Sequence, residues 1–139
     1  MERTLPRFLW YVTMGGMLGL VLELLLLAHT EDLLQWIPLI LLGLGLAGLV
    51  LAGARPTPAR LRAVRVAMAT LLVAGVAGIV LHFLGNRAFQ LEIDPTLHGW
   101  ALAWKVIRAH SPPALAPGAL VLVGLVGIGW TVAVPPAPR

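Results

Sequence analysis

Residues 8–28 read FLWYVTMGGMLGLVLELLLLA, and after four further residues the chain resumes with residues 33–54, LLQWIPLILLGLGLAGLVLAGA. Each run reaches the roughly 20 largely apolar residues that a helix needs to cross the hydrocarbon of a bilayer. So short a link makes the two helices antiparallel neighbours. Two more runs follow, at residues 66–84 and 114–134. The expected fold is an all-α integral membrane protein, a four-transmembrane-helix bundle forming one membrane domain over residues 1–139. The spans are expected at about 8–29, 31–54, 62–86 and 114–134.

Composition agrees with this fold. Of 139 residues 59% are hydrophobic and 12% are charged, against about 25% charged residues in an ordinary soluble domain. The net charge of +4 is not arranged as a basic stripe with interleaved aromatics, so a nucleic-acid partner is not expected. There is no cysteine, which removes disulfides, thiolate metal sites and cysteine nucleophiles together. The first run has a basic start but exceeds the roughly 7–15 residue core of a secretory signal, so it is expected to be a retained span. Arginine outnumbers lysine nine to one, and Ala, Gly, Pro and Leu abound, a composition suited to a GC-rich bacterial genome and an inner-membrane location.

Basic residues in short loops stay cytoplasmic. Arg3 and Arg7 precede the first span, Arg55, Arg60, Arg62 and Arg65 crowd the link between the second and third, and Arg139 ends the chain. Both termini are therefore expected inside. The opposite side mixes Arg87, Lys105 and Arg108 with Glu31, Asp32, Glu92 and Asp94.

On that outer side Thr30 is placed to cap the second span, with Glu31 and Asp32 in its first turn, while Pro38 removes a hydrogen bond near its outer end. The connection from Gly85 to Pro113 is the long one. Asp94-Pro95 reads as a helix cap and first helical residue, predicting an amphipathic interfacial helix over about 95–109. Its Leu97, Trp100, Ala101, Trp104 and Ile107 share a face, with His98, Lys105 and Arg108 elsewhere. Ser111-Pro112-Pro113 ends it, and Pro117 helps to start the last span. Trp10, Trp36 and Trp130 read as anchors at the membrane surface.

The spans hold few polar groups, which argues against a water-filled pore. Glu23 and His82 stand out. Glu23 lies four residues after Gly19, in line with the Gly15–Gly19 pair, so it is expected to point into the bundle along a close-packing face. His82 lies four and seven residues after Gly78 and Gly75, and four before Asn86, and is expected inward at similar depth. An ionised carboxylate left in lipid costs on the order of 2.5–3.5 kcal/mol, so Glu23 needs a partner. Above them lie Glu92, Asp94, His98 and His29. His110 reads as a favourable cation at a helix C-terminus.

Imidazole with carboxylate suits Zn, Fe, Mn or Cu(II). The expected function is an outward-facing metal site built from Glu23, His82, Glu92 and His98, with His29 and Asp94 as further ligands, used for metal handling or metal-dependent chemistry. A haem held between His82 and His29 is a lesser option. Two other readings compete: a small proton-coupled transporter exchanging protons at Glu23, and a homo-oligomer or accessory subunit of a larger complex docking through its glycine-rich faces. Catalytic residues are not indicated.

Overall fold

The computed structural model describes residues 4–109 and 115–137. They form five helices, α1 (Thr4–Leu26), α2 (Leu33–Ala54), α3 (Pro58–Ile93), α4 (Gly99–Ile107) and α5 (Leu115–Ala133), and no strand occurs among the described residues. α1, α2, α3 and α5 are each long and apolar enough to cross a membrane. They pack as a ring in which α1 touches α2 and α5, and α3 touches the same two. α4 packs on α3 alone among the helices.

Glycines set the spacing. A Cβ added to Gly75 would lie 2.6 Å from the Pro117 carbonyl oxygen, and one added to Gly124 would lie 2.7 Å from the Met68 carbonyl oxygen. Small residues at both positions therefore let the α3 and α5 backbones approach, the usual basis of helix contact where lipid supplies no hydrophobic drive. Met68, fully buried, fills the centre. Its methyl group faces Gly45 of α2 and its sulfur faces Gly127 of α5.

Helix ends follow local chemistry. Thr57 Oγ1 accepts from the Arg60 N–H at 3.3 Å, capping α3 ahead of Pro58. The Arg60 guanidinium donates to the Leu51 carbonyl at 2.9 Å, satisfying the last turn of α2 with a cation. At the same end, Arg65 ties α3 to α5 through Thr131 Oγ1 at 3.1 Å. The cap of α2 is Asp32 rather than Thr30. Gln35 Oε1 accepts from the N–H groups of Glu31 and Asp32 at 2.9 and 3.4 Å, and the Thr30 carbonyl accepts from Trp36 Nε1 at 3.2 Å.

Two expectations are corrected. The helix that carries the third span continues past residue 86; α3 runs to Ile93, 36 residues in all, or roughly 54 Å at helical rise, against a hydrocarbon thickness of about 30 Å. Ala88, Gln90, Leu91 and Glu92 are good helix formers and no proline intervenes before Pro95. Proline disfavours the helical conformation in the residue before it, so Asp94 is extended and caps the C-terminus of α3, while α4 begins later with His98 at its N-cap. The tryptophans also divide. Trp130 is 2% exposed, inside the core. Trp10 is half-buried, its Nε1 donating to the Leu49 carbonyl at 3.2 Å where Gly53 leaves room. Of the three expected anchors only Trp36 is exposed. His110 and residues 111–113 lie outside the described residues.

Candidate functional site

The end of α1 determines where His29 goes. The Ala28 N–H donates to the Leu25 carbonyl at 3.1 Å and the His29 N–H donates to the Leu24 carbonyl at 2.9 Å, with Ala28 at φ 51°. These are the two bonds and the left-handed residue of a Schellman terminus. Glycine is the usual occupant; alanine there carries strain on the order of 1–2 kcal/mol. The chain turns back at that point and delivers His29 to α3, where its ring stacks on His82 with centroids 6.4 Å apart and planes at 28°. Partial burial, and secondarily the nearby His82 ring, lower the His29 pKa from its ordinary value of 6.5. His29 is thus held neutral at neutral pH, with a nitrogen lone pair available.

His82 lies on the expected stripe of α3. Gly75 and Gly78 of that stripe abut Pro117 of α5, but His82 itself is exposed. Among the described residues α1 ends at Leu26 and α5 begins at Leu115, and neither helix flanks His82 as a core neighbour. Beyond His82 the last eleven residues of α3 extend about 16 Å further.

Glu23 is not inside the bundle. The buried face of α1 consists of Thr13, Met17, Leu20 and Leu24, and Glu23, about a right angle away by helical spacing, is exposed. Gly15 and Gly19 have nothing within 4 Å of an added Cβ, whereas Gly16 meets Val123. Large side chains, not the small-residue stripe, mark the core face of this helix.

The remaining expected ligands do not join the histidine pair. Glu92 is exposed near the C-terminal end of α3. Asp94 Oδ1 accepts from the Thr96 hydroxyl at 2.6 Å and the Thr96 N–H at 3.1 Å; these bonds, with a smaller contribution from Lys105, lower its pKa. His98 Nδ1 sits 2.8 Å from the Thr96 carbonyl oxygen. Asp94 and His98 therefore organise the α3–α4 turn. Among the described residues no three His, Cys, Asp or Glu side chains cluster as a metal-binding group. Of the six expected residues, His29 and His82 are the two whose rings the structure sets against each other.

Two features escaped the sequence. The Schellman terminus has no glycine to signal it. On α4, Leu102 and Val106 are buried against α3 while Trp100 and Trp104 stay exposed, so the helix is apolar on two opposite faces. Lys105 and Arg108 flank a cleft beside Trp104.

The sequence matches no family model, and comparison with curated proteins and with solved structures finds no match. The fold itself defines the class: an all-helical bundle whose four long apolar helices are those of a multi-pass membrane protein.

Proposed function

We propose that this is a bacterial inner-membrane protein, N- and C-termini cytoplasmic, whose outer mouth binds a transition metal between His29 and His82. The pairing of these two rings is the observation that carries the reading. They come from separate segments, the α1–α2 turn and α3, and meet above a core with almost no other polar group. Two imidazoles without carboxylate or thiolate favour Cu(II) or Zn(II), with water completing the coordination and leaving positions open to a metal-delivery partner or a substrate. The arginines at the α2–α3 link support the orientation. The exposed Leu84, Phe89, Ile93, Trp100 and Trp104 are more apolar surface than water tolerates, which supports a headgroup-level position for α4 and the adjoining turns of α3.

The test is titration of the purified protein, and of the protein in sealed right-side-out vesicles, with Cu(II) and Zn(II). Wild type takes up one equivalent at micromolar metal, an impermeant chelator outside removes it, and His29→Ala or His82→Ala loses at least tenfold in affinity. Glu23→Gln is unchanged. Because the His29 pKa is lowered, protons compete with the metal for this ring less than for an ordinary imidazole, and affinity declines as the pH is made acidic. Equal uptake by His82→Ala sinks the proposal.

A second reading, an oligomer or complex subunit, is favoured by the exposed line of Gly15, Gly19 and Glu23 on α1. Such a face accepts another helix, whose donors would cover a carboxylate in the last turn of the span. Native mass measurement reads it directly: a larger assembly that Gly19→Leu reduces to single chains supports it, and a wild-type protein of one chain refutes it.

A further inference from the structure

We infer that the cleft between α4 and the outer turns of α3 holds the phosphate of an anionic phospholipid headgroup. The cleft, about 400 Å³, is lined by Gln90 of α3 and by Trp104, Lys105, Arg108 and Ala109 at the end of α4. Lys105 and Arg108 are three residues apart and so are neighbours on the helix surface. The Arg108 guanidinium lies over the Trp104 ring, 5.5 Å from its centroid, which fixes its position without neutralising it. A guanidinium offers paired N–H donors to a phosphate, an ammonium adds a mobile point charge, and the Gln90 amide supplies a neutral donor.

The nearby negative groups are fewer. Asp94 acts on Lys105, but its Oδ1 is already occupied by both Thr96 donors. The C-terminal carbonyls of α4 point the same way, and two of them, on Trp104 and Val106, are satisfied by the Arg108 N–H. Two cations therefore face one carboxylate and a partly satisfied helix end.

The neighbouring surface selects lipid over a free anion. Trp100 and Trp104 stack with centroids 6.1 Å apart and planes at 26°, and they are 74% and 49% exposed. Indoles presented in this way belong at headgroup depth. An open cleft with two screened cations holds free phosphate poorly, whereas a lipid arrives with its phosphate already at that depth and its glycerol and upper acyl carbons against the indole pair. The inference rests on the proposed headgroup position of α4, and is independent of the histidine pair.

The experiment uses the full chain in nanodiscs of equal parts phosphatidylcholine and phosphatidylglycerol, with lipids retained after release counted by native mass spectrometry. Wild type retains phosphatidylglycerol preferentially. Each basic group near a membrane surface is worth about a fivefold preference, so Lys105→Gln with Arg108→Gln lowers retention about thirtyfold. Arg87→Gln, one charge lost outside the cleft lining, lowers it by no more than about the fivefold of a single basic group. Equal retention by the double variant, a loss in Arg87→Gln as large as that of the double variant, or displacement of the lipid by millimolar inorganic phosphate each overturns the inference. Because the chain has no cysteine, a nitroxide attached at Ala101→Cys reports the depth of α4 separately. A label in bulk water removes the position on which the inference rests, while a label at headgroup depth without phosphatidylglycerol preference removes the lipid site alone.

Discussion

Gly75→Leu and Gly124→Leu each keep α3 and α5 from closing, and the purified variants unfold at temperatures well below that of the wild type. The atoms nearest an added Cβ at Gly75 are the Pro117 carbonyl oxygen at 2.6 Å, the Val121 Cγ2 at 2.8 Å and the Val121 N at 2.9 Å, and at Gly124 they are the Met68 carbonyl oxygen at 2.7 Å and the Leu72 Cβ and N at 3.1 Å. Backbone atoms cannot swing aside as a side-chain terminus can. Accommodation therefore means separating two helices along their contact, which places the cost at or above the upper end of the roughly 1–3 kcal/mol typical of overpacking. Gly19→Leu provides the contrast. It has open space around its Cβ, and leucine is a better helix former than glycine by somewhat under 1 kcal/mol, so its monomeric fold is as stable as the wild type. Thermal unfolding followed by circular dichroism in one detergent distinguishes the three. A Gly124→Leu protein that melts with the wild type contradicts the α3–α5 packing described here.

These glycines also show how far the sequence could be read. The four long apolar helices and the short α1–α2 turn are legible because runs of apolar residues report length directly. The stripe of His82 is legible too, since Gly75 and Gly78 do face a neighbour. Burial at its top is not, because it depends on where α1 and α5 end, and that information lies elsewhere in the chain. For Glu23 the inference failed at an earlier step. A small-residue stripe marks a close contact only if a helix occupies it, and on α1 the larger Met17, Leu20 and Leu24 take the core face. Asp94-Pro95 is ambiguous for a local reason: an extended residue before proline can begin a helix or finish one. The length of α3 decided between them. The histidine pair depends on a left-handed alanine that no sequence rule would assign, so its two members could be named together as ligands while the stacking of their rings could not be read.

Met68→Ala loses about 2–3 kcal/mol, toward the lower part of the range for deleting a buried methionine side chain. In a membrane protein the truncated surface is not returned to water in the comparison state, so the transfer contribution shrinks and lost dispersion contacts dominate. Those contacts are extensive, because Met68 is fully buried and reaches from α3 to Gly45 on α2 and Gly127 on α5. Gly127→Ala alone is also destabilising, since its Cβ would collide with the Met68 sulfur and approach Thr13 at 3.2 Å. The two changes compensate. With the sulfur gone, the new methyl group enters the space it left, and the double variant is more stable than the sum of the singles by on the order of 1 kcal/mol or more, the coupling expected of residues that share one volume. Thermal or denaturant unfolding of the four proteins in one detergent completes the cycle. Additivity within about 0.5 kcal/mol is the behaviour of independent sites, and would mean that Met68 does not occupy the gap between α2 and α5.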